Sequence, residues 1–255
     1  AVLISHAGPC PDPKPVWNHP ACSGITSIFA RKLVRAPKGD DLPRRILGSG
    51  PPAFAVRENR LLFEVDLHGG YSCGLFLDQR ENRSRLRAMH PRKVLNLFAY
   101  TCSFSVAAAS AGAQTLSVDL SKSSLARGRQ NFAINNLPTD GHRFVADDVF
   151  DFLPRLARRG EVFDAVILDP PTFSRSRSGR VFRAESDLPA LLELTLPCVV
   201  PGGSILLSTN CSRISPADLA EIAGNLPVTP ATRPPDIRVG ASAIWIQNSQ
   251  SGGGC

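Results

Sequence analysis

From Lys93 onward the chain alternates short apolar runs with longer amphipathic stretches, and this alternation constrains the fold more than any other feature. Residues 93–99, 114–119, 142–147, 163–169, 203–209 and 243–248 read as strands, and 103–111, 122–136, 148–158, 185–199 and 215–224 read as helices. Strands separated by helices run parallel, which gives an α/β domain with a mostly parallel sheet covered on both faces. The second helix is the best marked: Ser121 suits its N-cap, apolar residues recur at 125, 126, 132, 133 and 137, and Pro138 follows its end.

In open sheets of this kind the carboxyl ends of the strands form the ligand crevice. Three segments, 93–103 (KVLNLFAYTCS), 114–121 (QTLSVDLS) and 162–173 (VFDAVILDPPTF), are apolar runs that end in small or acidic residues. After the first strand, Phe98–Ser103 supplies a turn of small residues leading to a helix N-terminus, where a ligand can approach backbone N–H groups. The turn has no glycine, and neither G-x-G-x-x-G nor G-x-x-x-x-G-K-[ST] occurs, which argues against a bound pyrophosphate or triphosphate. Asp119, closing the second strand, is placed to accept from two ribose hydroxyls, and one carboxylate of Asp147-Asp148 to accept from an adenine amine. A phosphate-free nucleoside held by two acids fits S-adenosyl-L-methionine. Taken singly, Asp119 and Asp148 could equally cap the helices that follow them. Asp169-Pro170-Pro171-Thr172-Phe173 then offers acceptors in a fixed backbone beside an aromatic face, which suits a flat base carrying hydrogen-bond donors.

Composition narrows the partners. Of 29 basic residues five are Lys and 24 Arg, with a formal net charge of +7, and such a surplus of forked donors suits phosphate recognition as well as it suits genome bias. Seven cysteines, none spaced C-x-x-C, argue against a zinc ribbon or a disulfide framework, so no metal and a reducing cytoplasmic setting are expected. No apolar run approaches membrane-spanning length, and residues 1–10 lack a basic leader region, so a soluble chain is expected. The sequence begins without Met, which leaves room for an upstream segment.

Residues 9–20 hold many prolines around Trp17 and read as an extended lead-in, while 53–78 read as an antiparallel meander turning at Glu58-Asn59 and Gly69-Gly70. The expected organisation is an N-terminal extended and β-rich appendage over 1–80, joined by a helix over 78–89 to a domain spanning 81–248, then a flexible Gly/Ser-rich tail at 249–255.

Six segments together resemble a known family. Residues 74–83 (GLFLDQRENR), 94–102 (VLNLFAYTC), 117–121 (SVDLS), 146–150 (ADDVF), 168–173 (LDPPTF) and 202–212 (GGSILLSTNCS) look like the class I S-adenosylmethionine-dependent methyltransferases that modify bacterial large-subunit ribosomal RNA. The likeness runs from about 53 to 248 and touches the cytosine-C5 and guanine-N7 branches. It implies a Rossmann-like core with a mostly parallel seven-stranded sheet. It also implies that Gln79 and Arg80 meet the methionine carboxylate, and that Asn96, Phe98, Ala99, Tyr100, Thr101, Cys102 and Ser103 line the cofactor. Asp119 with Ser121 would hold the ribose, Leu120 would pack on adenine, and Asp147, Asp148 and Val149 would read its edge. Asp169 and Pro170 would sit beside the sulfonium and the target base. Cys102 stands where many relatives have glycine and is expected to narrow the cofactor space. The RNA-binding module that precedes some relatives is not evident in residues 1–52, so recruitment to RNA must come from elsewhere.

Two acceptor atoms stay open. Cytosine C5 becomes nucleophilic only after a thiolate adds to C6, and Cys211 falls where the C5 branch places that thiol. The segment Asp169–Phe173 matches the guanine-N7 branch more closely, whose ring nitrogen needs only positioning. Residues 174–180 (SRSRSGR) read as a flexible basic loop whose Arg175, Arg177 and Arg180 could grip phosphates, with Arg31, Lys32, Arg35, Arg44 and Arg45 extending the patch. The reading is therefore an RNA-base methyltransferase, with a homodimer as one open assembly; its rivals are a non-catalytic RNA-binding protein and a methyltransferase of proteins or small molecules.

Overall fold

The computed structural model of the chain describes residues 2–5, 12–20, 23–32, 43–68, 72–175, 179–238 and 240–249. Compactness divides it into two units, Ala1–Arg57 with Leu62–Leu75, and Glu58–Leu61 with Phe76–Cys255.

The first unit holds a three-stranded sheet of β1 (Val2–Ser5), β2 (Ser27–Lys32) and β3 (Arg44–Gly48), with β1 parallel and β3 antiparallel to β2. The proline-rich lead-in contains a single helical turn, α1 (Lys14–Trp17), because a proline at the start of a helix loses no hydrogen bond. β4 (Ala53–Glu58) and β5 (Leu61–Asp66) pair through Asn59 and Arg60, both left-handed at φ 48 and 71, the backbone a two-residue hairpin turn demands. The expected third limb of the meander is not seen among the described residues: 69–71 lie outside them, and 72–76 form no strand.

In the second unit a 3-10 turn (Leu77–Gln79) runs into α2 (Arg80–Ala88). Alternation then follows: β6 (Lys93–Leu97), α3 (Ser103–Ala109), β7 (Gln114–Asp119), α4 (Lys122–Ile134), β8 (Arg143–Ala146), α5 (Val149–Arg158) and β9 (Phe163–Leu168). A small hairpin, β10 (Phe173–Arg175) with β11 (Val181–Arg183), precedes α6 (Ala184–Thr195), β12 (Val199–Thr209), α7 (Pro216–Ala223), β13 (Val228–Pro230) and β14 (Ser242–Gln247). The seven-stranded sheet has the order β13-β14-β12-β9-β6-β7-β8. Its five central and β8-side strands are parallel, and β14 and β13 are antiparallel additions at the other edge.

Period two sorts the strand residues onto two faces. Leu95, Leu97, Leu116, Val118, Val166, Leu168, Ile205 and Leu207 pack with α5, α6 and α7, while Val94, Ala165, Ile167, Leu206 and Trp245 pack with Leu86 of α2 and Phe104 of α3. Because both faces are covered, the strands read as continuous apolar runs. The chain reverses its direction of strand addition between β6 and β9, so the crevice for a ligand opens at their carboxyl ends.

Candidate active site

The carboxyl rim of the parallel strands brings together the loop after β6, Asp119 after β7, Asp147 and Asp148 after β8, Asp169 after β9 and Cys211 after β12. The loop after β6 is bent by three left-handed residues that are not glycine: Phe98 (φ 56), Tyr100 (φ 48) and Cys102 (φ 59). Such backbone persists only where its surroundings hold it. Here Asp119 does so, its two oxygens accepting the N–H groups of Tyr100 and Ser121, both at 2.8 Å. Each oxygen keeps a second lone pair, so the carboxylate presents two acceptor positions in a row, the set a vicinal diol requires. Burial pushes its pKa up, against the pull of those two amides.

Asp119 therefore does not cap α4; Ser121 does, accepting from Ser124 N–H at 3.1 Å. Asp148 is the N-cap of α5, spending one oxygen on Phe150 N–H at 2.9 Å. Asp147 accepts from Asp148 N–H and pairs with Arg155, so Asp148 is the acid with an oxygen to spare.

Not every residue of the loop faces the crevice. Asn96 is buried and donates to Ser105, which bonds Ser117 in turn, tying β6, α3 and β7 together. Thr101 is buried, and its carbonyl accepts from Asn131. Cys102, expected to narrow the cofactor space, turns its side chain towards α4. Its side chain is fully buried against α4, where a Cβ on Gly128 would lie 2.4 Å from its Sγ. Burial pushes the thiol up to about 12, so it is inert. Val149 belongs to the core, while Leu120 and Ser103 are partly exposed.

At the other side of the switch point, Asp169 accepts from Ser208 Oγ and, at 3.4 Å, from Gln79 Nε2. Desolvation pushes its pKa up to about 6, with Asp78 adding to the rise and Ser208 and Arg83 opposing it. Gln79 is thus engaged with Asp169 rather than open at the rim. Arg80 forms a two-pronged pair with Asp236, and the hydrogen bonds to Asp236 and Glu81 raise the pKa of the Arg80 guanidinium. Arg83, which no sequence motif singles out, is buried in a fork with Glu58 (2.7 Å on each prong) and donates to the Phe76 carbonyl. Four arginines in nine residues give no periodicity that marks which one turns inward.

Pro170 is buried and Phe173 is 55% exposed on β10. Cys211 is 4% exposed, and its Sγ lies 3.4 Å from Glu185 Oε1, which also pairs with Arg213. The basic loop is shorter than expected, because Ser174 and Arg175 pair with β11. Arg180 bonds Asp151 at 3.3 Å and covers the Phe150 ring, and Arg177 lies outside the described residues, as does Arg35. Among the described residues no group of His, Cys, Asp and Glu could hold a metal, and no helix is long and apolar enough to cross a membrane. A cavity of about 330 Å³ lies at the opposite rim, lined by Lys93, Thr115, His142, Arg143 and Glu161, and contains none of these residues.

A parallel sheet of this order with two antiparallel strands at one edge, and acids on successive strand ends, is the Rossmann-like class I methyltransferase architecture. The chain belongs to the S-adenosylmethionine-dependent methyltransferase family, whose profile it matches over residues 32–230. It is 38% identical over 206 residues to proteins of Yersinia pseudotuberculosis and Yersinia pestis named ribosomal RNA large subunit methyltransferase I, covering 78% of this chain and 51% of theirs. The chain thus spans about half the length of the curated relatives it matches. A solved methyltransferase complexed with SAH superposes with a TM-score of 0.77 at 29% identity, over 89% of this chain and 63% of that one. A SAM-dependent methyltransferase from Agrobacterium tumefaciens shares the fold with a TM-score of 0.74 at 21% identity, over 98% of this chain and 94% of that one.

Proposed function

We propose that the chain carries the catalytic domain of an enzyme that methylates a base of ribosomal RNA, and that the acceptor atom is cytosine C5. The observation that carries the choice of atom is the Cys211–Glu185 pair at the same rim as Asp169, one strand away. Methylation of a ring nitrogen has no use for a thiol with a carboxylate at hydrogen-bond distance; addition to C6 of a pyrimidine needs both. Support for an RNA acceptor comes from the name of the Yersinia relatives and from the net charge of +7.

The residues fit the family's cofactor by the chemistry of their acceptors. Asp119 would hold the two ribose hydroxyls, the free oxygen of Asp148 the adenine amine, and Phe98, Ala99 and Tyr100 the wall between them, with Leu120 against the base. S-adenosylmethionine supplies, when bound, an electrophilic methyl group. In this reading Cys211 gives its proton to Glu185 and adds to C6, C5 takes the methyl group, and loss of the C5 proton to water then breaks the C6–S bond and expels the Cys211 thiolate. Asp169, whose pKa of about 6 leaves it mostly ionised at neutrality, accepts from the exocyclic N4 amine and so orients the base. Phe173 offers its exposed face for the base to stack upon.

The test is Cys211→Ala, assayed by tritium transfer to RNA from cells lacking the modification, with the product base identified by mass spectrometry. Loss of transfer by about 100-fold or more, with 5-methylcytosine as the wild-type product, is expected. Near-normal transfer with a 7-methylguanine product would establish the nitrogen acceptor instead. No transfer to RNA by the wild-type chain, with intact cofactor binding, would favour a protein or small-molecule acceptor.

A further inference from the structure

Asp169 is the last member of a buried hydrogen-bonded row that starts on β14, two strands away from β9. Trp245 on β14 donates its indole N–H to Asn82 Oδ1 at 3.0 Å, and Asn82 Nδ2 donates to Gln79 Oε1 at 2.7 Å. Gln79 Nε2 then reaches Ser208 Oγ at 3.2 Å and Asp169 Oδ2 at 3.4 Å, and the Ser208 hydroxyl donates to Asp169 Oδ1. Trp245, Asn82, Gln79 and Ser208 are all at most 4% exposed, so water cannot replace a missing partner.

The direction of the row is fixed at its start. An indole nitrogen can only donate, whereas each amide could face either way. With Trp245 donating, Asn82 must turn its oxygen to the indole and its NH₂ to Gln79. Gln79 must then turn its oxygen to Asn82 and its NH₂ to the rim. Because that NH₂ occupies a lone pair of Ser208, the serine proton is directed at Asp169. Reversing one amide would set two acceptors or two donors face to face, in an interior where each such mismatch goes uncompensated.

We propose that Trp245, Asn82 and Gln79 are positioning residues that aim two donors at Asp169, fixing the orientation of its carboxylate and favouring its ionised form. The inference rests on the assignment of Asp169 to the acceptor base made above. The charges acting on Asp169 are Asp78, in the turn before α2, which opposes ionisation, and Arg83 on α2, which favours it; β12 contributes the neutral Ser208 and β14 the neutral Trp245. With those charges fixed, the row is the adjustable influence, and it acts across three side chains.

The experiment titrates the Asp169 carboxyl by ¹³C NMR in the full chain labelled at aspartate, with assignment from Asp169→Asn, beside calorimetry of S-adenosylmethionine binding. Trp245→Phe keeps an aromatic ring in the core but deletes the N–H with the pyrrole ring; Gln79→Met deletes the donor next to Asp169. Both are expected to raise the Asp169 midpoint, Gln79→Met by about one pH unit, a tenfold change in the ionisation equilibrium, and Trp245→Phe in the same direction by less. The acid limb of the methyl-transfer pH profile moves with it. An unmoved midpoint in a folded Trp245→Phe protein overturns the relay, even if turnover falls, because loss of packing alone leaves the titration in place. If Trp245→Phe does not fold, an unmoved midpoint in Gln79→Met overturns it. A wild-type chain that shows the shifts but transfers no methyl to RNA supports the relay and refutes the RNA reading.

Discussion

At the scale of single residues, Cys102 and Gly128 behave as one choice. A side chain on a left-handed residue after β6 is tolerated because α4 has no Cβ opposite it, 2.4 Å from where one would sit. Gly128→Ala should destabilise the protein by about 1–3 kcal/mol, and Cys102→Gly in the same chain should recover most of that loss, as a double-mutant cycle of denaturant midpoints would read. Sequence showed the departure at Cys102 but not its compensation, because residues 26 positions apart meet only through packing. Asp169 was legible as a rim acid and Gln79 as a candidate cofactor contact, yet the row joining Asp169 to Ser208, Gln79, Asn82 and Trp245 was not, because four separate segments meet only in the fold. Its pKa, raised from an ordinary 3.8 to about 6, has a stability consequence. The folded state binds the proton more tightly, so the favourable contribution is complete below the ordinary value and is lost as pH rises through about 6. Urea unfolding should therefore show a fall of at most roughly 3 kcal/mol across that window, absent in Asp169→Asn.

Among the elements, those with local signals were readable. The Ser121 cap and the Pro138 stop bracket α4 as expected, and five parallel strands fall within a few residues of their sequence bounds. What escaped was short and held by pairing rather than propensity. β13 contains Pro230, which a sequence reading counts against a strand, but its place at the sheet edge removes the objection. β10 and β11 are three residues each and pair only with one another, so the segment read as loop. α7 begins one residue later than expected, because Ser215 and Asp218 cap each other across the first turn and Pro216 opens the helix. Ser215→Ala should cost about 1 kcal/mol of stability, measured as a lowered thermal midpoint with unchanged cofactor affinity.

For the molecule as a whole, two ledgers of charge and ligand can be tested. The formal charge of +7 predicts that affinity for RNA falls linearly with the logarithm of salt concentration, with a slope that lessens when Arg175 is replaced. S-adenosylmethionine at about 100 times its dissociation constant should stabilise the fold by about 2.7 kcal/mol, seen as a shift in melting temperature. The bent turn at Phe98, Tyr100 and Cys102 bears on how that stabilisation arises. Its unfavourable torsions are met when the chain folds and Asp119 clasps the neighbouring amides, so little disorder is left to remove when a guest arrives. Calorimetric capture should accordingly carry a small entropic penalty. Asp119→Ala, by unclasping the turn, should enlarge that penalty far beyond what loss of the two proposed ribose contacts explains.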